Sequence, residues 1–176
     1  MKNIILTGFM GTGKTAVGRK LAARLGFSFL DTDTIIEDRA GCTIAEIFKG
    51  QGEAYFRKVE RSVIQEMVQS QRCVISTGGG AIVDPQNLEL LKKNGLVICL
   101  TSSPEKILER TARKRSVRPL LQGKEPIKEI ERLLKLRARY YEKADWTVDT
   151  TEKTVAQVVS LIKNKIEAED IGASPG

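Results

Sequence analysis

Lys2-Asn3-Ile4-Ile5-Leu6-Thr7 runs without a break into Gly8-Phe9-Met10-Gly11-Thr12-Gly13-Lys14-Thr15. The second stretch reads G-x-x-x-x-G-K-T, with an apolar run before it and a helical pattern after it. That context matters, because eight positions alone make a short pattern. Ile4, Ile5 and Leu6 predict a buried strand that delivers the loop, and a helix starting near Lys14 leaves it. Gly8, Gly11 and Gly13 let the backbone curl so that its N–H groups face phosphate oxygens. The helix N-terminus adds partial positive charge at the same place. A nucleoside-triphosphate site follows, with Gly11, Thr12, Gly13, Lys14, Thr15 and Ala16 expected around the phosphates. Lys14 would reach the β- and γ-phosphates and the Thr15 hydroxyl would ligate Mg²⁺. A glycine-rich turn that binds nothing is the alternative, and the agreement of strand, loop and helix signals speaks against it.

The rest of the composition narrows the chemistry. The 176 residues fit one domain with its own core, and 41% hydrophobic with 29% charged residues is an ordinary globular balance. No run of about 18 apolar residues exists, so no membrane span is expected. A strand beginning so near Met1 leaves no room for a leader peptide, and a cytoplasmic protein is expected. Cys42, Cys73 and Cys99 are odd in number and form no C-x-x-C pair, which predicts three free thiols. Histidine is absent, which removes imidazole acid–base catalysis and the common zinc sites. The net charge of +7 is concentrated in Arg110, Arg113, Arg115 and Arg118, then Arg132, Arg137 and Arg139. With few aromatics interleaved for base stacking, small phosphorylated or carboxylated ligands are favoured over nucleic acid.

Apolar runs alternate with helical patterns along the whole chain, which argues for a parallel sheet flanked by helices. Strands are expected near Ile4–Leu6, Phe27–Leu30, Val74-Ile75, Leu96–Leu100 and Trp146–Val148. Helices are expected over Lys14–Leu25, from Ile35 to Gly41, and from a Thr43-Ile-Ala-Glu46 capping box to Gly50. Further helices are read over Gly52–Ser70, Pro85–Asn94, from Pro104, over Pro126–Ala144 and over Val155–Ile166, with a frayed tail from Ala168. No repeat, linker or second domain is apparent.

Four further groupings carry chemistry, and each has a plainer reading beside it. Asp31 and Asp33 follow a strand, at the edge where open parallel sheets bind ligands, and at i and i+2 both can leave an extended segment on one side. Asp31 then serves a Mg²⁺ hydration shell and Asp33 accepts a hydroxyl proton; a helix N-cap beside a solvated Asp is the alternative. Arg57 and Glu60 share a helix face, either as a surface pair worth about 0.3–0.5 kcal/mol or as a cleft arginine whose fork is fixed for a carboxylate. Gly78-Gly79-Gly80 offers bare backbone to a polar ligand, or is simply a flexible turn. Arg110–Gly123 reads as a cationic lid over phosphates or as a solvated loop.

As an ordered set these residues resemble the shikimate kinase family. The markers stand here as Gly8–Thr15, Asp31/Asp33, Phe56-Arg57-Lys-Val-Glu60, Gly78–Gly80, Arg118-Pro-Leu-Leu121, and Arg137 before Tyr141-Glu-Lys-Ala-Asp145. The resemblance implies a three-layer α/β/α, nucleoside-monophosphate-kinase-like P-loop fold with a five-stranded parallel sheet. A single domain would span 1–170, with an acceptor subdomain near 32–61, a mobile lid near 112–124 and a disordered tail from 171. It further implies a monomer that transfers the ATP γ-phosphoryl to the 3-hydroxyl of shikimate with Mg²⁺, without nucleic-acid or membrane partners. On that resemblance Asp33, Arg57, Gly78, Gly79, Gly80 and Arg137 hold shikimate, and both arginines pair with its carboxylate. Lys14 and Arg118 stabilise the transferring phosphoryl, Thr15 and Asp31 organise Mg²⁺, and Arg110 lies against adenine. Lys153, near the last strand-to-helix turn, would line the adenine of ATP, without the proline that often accompanies a basic residue there. Another small-metabolite kinase of the same fold, such as a gluconate kinase, is the alternative.

Overall fold

The computed structural model describes residues 2–112 and 125–172. Five strands form one parallel sheet: β1 Asn3–Thr7, β2 Ser28–Asp31, β3 Cys73–Ser76, β4 Gly95–Thr101 and β5 Trp146–Asp149. Their order across the sheet is β2-β3-β1-β4-β5, so β1 lies at the centre. Seven helices connect them: α1 Lys14–Leu25, α2 Thr32–Ala40, α3 Ile44–Met67, α4 Pro85–Asn94, α5 Pro104–Thr111, α6 Pro126–Tyr141 and α7 Val155–Gly172.

The central strand shows why the fold has three layers. Side chains alternate along a strand, so Ile5 faces one way while Ile4 and Leu6 face the other. Ile5, Ile75, Val97 and Cys99 pack under Phe56, Val63, Ile64, Leu91, Ile107 and Ile130, contributed by α3 to α6. Ile4, Leu6, Val74, Ile98 and Leu100 pack on Val17 and Leu21 of α1 and Val158, Val159 and Ile162 of α7. A strand apolar on both faces is the signature of a sheet covered on both sides. Each such buried aliphatic side chain contributes about 1.5–3 kcal/mol.

Several boundaries differ from the sequence expectation, each for a local reason. β2 is shifted one residue, to end on Asp31, whose pairing with Ser76 completes the ladder to β3. Asp31 is also the N-cap of α2, accepting from the backbone N–H of Asp33 at 3.1 Å and Thr34 at 3.4 Å. Asp33 therefore lies in the first turn of a helix, and the two carboxylates do not leave a shared extended segment. The Thr43 capping box forms with Glu46 as predicted. The two helices expected on either side of Gly50–Gly52 run on as α3, interrupted only at Gly52, where φ is 83°. Gly95 is extended and opens β4. α6 stops at Tyr141, three residues before Ala144, and α7 continues past Ile166 to Gly172.

All parallel strands point their C-terminal ends the same way, so the loops after β1, β2, β3 and β4 gather along one edge. Cys73 and Cys99 are buried, Cys42 is half-buried, and all three are free thiols. Among the described residues, no helix is long and apolar enough to cross a membrane.

Candidate active site

The phosphate loop is folded by one close approach. Gly8 has φ +129°, and a Cβ on it would stand 2.1 Å from the Leu100 carbonyl oxygen of β4. Only glycine fits there, so the chain turns sharply off β1 and rises into α1. Phe9 goes inward and is 1% exposed. Thr12 is buried and donates to the Phe9 carbonyl at 2.8 Å, which ties off the inside of the turn. Lys14 Nζ curls over the loop to the carbonyls of Gly8 at 2.8 Å and Phe9 at 2.9 Å. Ala16 sits exposed in the first turn of α1. Thr15 Oγ1 donates to Asp31 Oδ2 at 2.9 Å, which brings the end of β2 against the start of α1.

The glycine run after β3 collects the remaining groups. Its torsions need no glycine, since none of the three has positive φ; space is what demands them. A Cβ on Gly78 would lie 2.9 Å from both Asp33 Oδ1 and Glu60 Oε1. One on Gly80 would lie 2.7 Å from Arg57 Nη2, and one on Gly79 would lie 3.4 Å from Arg137 Nη1 and 3.1 Å from the Gly8 carbonyl oxygen. Asp33, Glu60, Arg57, Arg137 and the phosphate loop thus border three consecutive residues. The bare backbone makes room for the site's own carboxylates and guanidinium groups as much as for any ligand.

The Arg57–Glu60 pair is no surface pair. Glu60 is 1% exposed, and its Oε2 accepts from Arg57 Nη1 at 2.7 Å. Arg57 also donates to Glu53 through Nε and Nη2 at 3.2 and 3.1 Å and lies over the Phe56 ring. Its fork is held on three sides, so little rotamer freedom remains to be lost when an anion binds. Arg137 is held differently, with its guanidinium carbon 5.5 Å from the centre of the Phe9 ring. Arg137 therefore leans on a residue of the phosphate loop.

Electrostatics set the carboxylates apart from ordinary surface acids. Burial pushes the Asp33 carboxyl above the usual range, helped by the charge of Asp31 and opposed by Lys14. Burial likewise raises Glu60, opposed by Arg57. A carboxylate held above its ordinary value is the stronger base once ionised. Gly78 N–H donates to Thr32 Oγ1 at 2.9 Å, and Thr32 precedes Asp33 in α2, so the glycine turn and Asp33 share a support.

On the far side of the loop, Arg110 ends α5 as a clamp. Its Nη2 donates to the Thr150 carbonyl at 2.7 Å, and its Nη1 donates to Thr150 Oγ1 at 3.0 Å and the Gly11 carbonyl at 3.4 Å. Thr150 is itself 2% exposed, with its hydroxyl 3.1 Å from the Thr12 carbonyl. The flat guanidinium thus joins the phosphate loop to the turn after β5. Lys153 is on that turn but lines a groove along α7 with Ala156, Gln157 and Ser160. No polar contact among the described residues joins it to Arg110. Arg118 and the segment 113–124 lie outside the described residues.

Sequence reasoning missed Tyr141, Phe9 and Thr150 as parts of this site. Tyr141 was read only as a landmark, yet its phenol donates to the Gly79 carbonyl at 2.8 Å. Its signal lay in the spacing: four residues after Arg137 on one helix, the two side chains share a face.

The model of the family described as shikimate kinase matches residues 10–167. The chain belongs to the shikimate kinase family. A curated shikimate kinase of Caldanaerobacter subterraneus is 48% identical over 162 residues, covering 92% of this chain and 94% of that protein. A solved shikimate kinase of Acinetobacter baumannii, in complex with shikimate, superposes with a TM-score of 0.92 at 40% identity over 96% of this chain and 94% of its own. A gluconokinase of Sinorhizobium meliloti has a TM-score of 0.65 at 17% identity, covers 99% of this chain and 98% of its own, and shares the fold alone. Membership makes the chain an ATP-dependent kinase, a phosphotransferase built on the P-loop fold.

Proposed function

We propose that this chain transfers the γ-phosphoryl group of ATP to the 3-hydroxyl of shikimate, with the acceptor seated between α2, α3, the glycine turn and α6. The observation that carries this is the convergence of Arg57 and Arg137 on Gly79 and Gly80, beside the Gly8 carbonyl of the phosphate loop. Two guanidinium groups at one wall suit a carboxylate, and Asp33, at the neighbouring Gly78, suits a hydroxyl. Such a site holds a carboxylated polyol with one hydroxyl turned toward the nucleotide.

The chemistry asked of the protein is positioning and charge neutralisation. Lys14 leaves its loop carbonyls for the β- and γ-phosphates, and the loop N–H groups with the α1 N-terminus take the remaining charge. Asp33 accepts a hydrogen bond from the acceptor hydroxyl and can take its proton as the phosphoryl arrives. Arg118 would stabilise the moving phosphoryl from the segment 112–124, and Arg110 would offer its guanidinium face to the adenine. For Mg²⁺, the Thr15 hydroxyl and Asp31 carboxylate, 2.9 Å apart, are hard oxygen donors of the right kind. No cluster of three or more metal-ligating side chains occurs among the described residues. Held by Thr15 and Asp31, the ion would neutralise developing phosphate charge.

A coupled ADP-release assay with shikimate, and separately with gluconate, tests the reading. Turnover on shikimate with at most background on gluconate is expected. The reverse preference would move the chain to a different acceptor.

A further inference from the structure

Tyr141 stands where the acceptor turn and the arginine helix meet. It ends α6 and is 7% exposed. Its Oη donates to the Gly79 carbonyl at 2.8 Å across 62 residues of sequence. Burial pushes the phenol up to about 12, opposed by the positive charge of Arg137. At neutral pH it is therefore a fixed O–H donor toward the turn.

The other polar groups of the turn are accounted for one by one. The Gly78 carbonyl accepts from Ala81 N–H at 3.1 Å, and the Gly80 carbonyl from Val83 N–H at 3.1 Å. Gly78 N–H goes to Thr32. Among the described residues, the N–H groups of Gly79 and Gly80 have no protein acceptor. The Gly79 carbonyl and the Gly80 N–H belong to one planar trans peptide, so they point in opposite directions. Holding the carbonyl fixes the N–H.

Without that anchor a peptide between two glycines is free to rotate, because neither flanking residue resists with a side chain. We propose that Tyr141 is a positioning residue for the acceptor: its hydroxyl locks the Gly79–Gly80 peptide so that the Gly80 N–H is presented to the acceptor. The proposal rests on the acceptor reading above for its kinetic arm. Lys14, Thr15 and the loop N–H groups do not depend on this peptide, so the nucleotide side should not register its loss.

The test is Tyr141→Phe, which keeps the ring and removes the hydroxyl. The shikimate KM is expected to rise about fivefold to tenfold, the scale of one lost hydrogen bond, with kcat and the ATP KM within twofold of the parent. Amide NMR of the unliganded protein is expected to show the Gly80 resonance shifted or broadened while the α1 and α7 resonances stay in place. The proposal is overturned if the shikimate KM is unchanged, if both substrates weaken equally, or if the Gly80 amide does not move. Should Tyr141→Phe fail to fold, Tyr141→Met is measured in the same way; failure of both to fold makes the ring a structural post and also overturns the proposal. If the parent protein turns over no shikimate, the acceptor reading fails by itself, and the Gly80 amide alone decides the clamp.

Discussion

The two halves of the site are built on different principles. The phosphate loop at the core of the nucleotide half is one continuous stretch, Gly8 to Thr15, shaped by backbone: a left-handed glycine against Leu100, a threonine tying off the turn, a lysine folded over it. The acceptor half has no continuous stretch at all. Asp33 comes from α2, Arg57 and Glu60 from α3, the glycines from the end of β3, and Arg137 and Tyr141 from α6. The glycine turn is held by Thr32 and Tyr141 and Arg137 rests on Phe9, all across elements, while Arg57 is fixed within α3 by Glu53, Phe56 and Glu60. A backbone-built site survives most distant changes, whereas a site of mutually braced side chains transmits a single truncation to every member.

That contrast can be broken by substitution. Lys14→Met is expected to give the largest effect, a loss of kcat on the order of a thousandfold with the fold intact, because on the proposed reading it sets a fixed cation against the transferring phosphoryl. Steady-state kinetics with circular dichroism checks it; a loss below tenfold would mean that another cation serves the phosphoryl.

Arg57→Ala comes next. A bidentate guanidinium–carboxylate contact removed from a partly buried site should raise the shikimate KM about a hundredfold while ATP still binds. Because Glu60 would be left buried without its partner, the protein should also unfold some degrees lower. Arg57→Lys separates the two effects: it keeps a charge for Glu60 but lacks the fork. Arg137→Ala has no buried acid to orphan, so its KM should rise without the thermal cost.

Gly80→Ala sharpens the claim about space. The new methyl would meet Arg57 Nη2 at 2.7 Å, and the long side chain can yield. About a tenfold rise in the acceptor KM with little change in stability is expected. An unchanged KM would show that the guanidinium need not stand where it does.

The smallest effect lies at the start of α3, the helix that carries Arg57. Glu46 accepts from the Thr43 backbone and hydroxyl, each at 2.7 Å, and the backbone bond first, then the hydroxyl bond, holds its carboxyl below the usual value of 4.5. A carboxyl lowered by folding contributes stability that is complete above its unfolded value and is lost as pH falls through the folded one. Thr43→Ala should cost about 1 kcal/mol at pH 7, seen as a few degrees in Tm. The difference from the parent should shrink as the pH is taken below about 4.5.

Much of the fold was legible because β1 and β4 are apolar on both faces and the helices are punctuated by glycine, proline and caps. The phosphate loop was legible because its chemistry is local. Asp33 and Arg57 were legible only as members of an ordered set, and their surroundings were not. Nothing in the residues themselves says that Glu60 is buried, since a helix i, i+3 pair reads the same on either face. Nor does an i, i+2 spacing tell an extended pair from a helix cap, which is why Asp31 and Asp33 point to different partners. Tyr141 was hidden for the reason that makes it useful: its bond crosses 62 positions.

Phe9 belongs to the nucleotide loop by sequence and to the acceptor wall by position, since Arg137 rests on its ring. On the proposed reading, this loop could not be grafted onto another scaffold without carrying off part of the second substrate's seat. Nor could the acceptor be exchanged freely, because the arginine that would greet it takes its footing from the stretch that grips ATP.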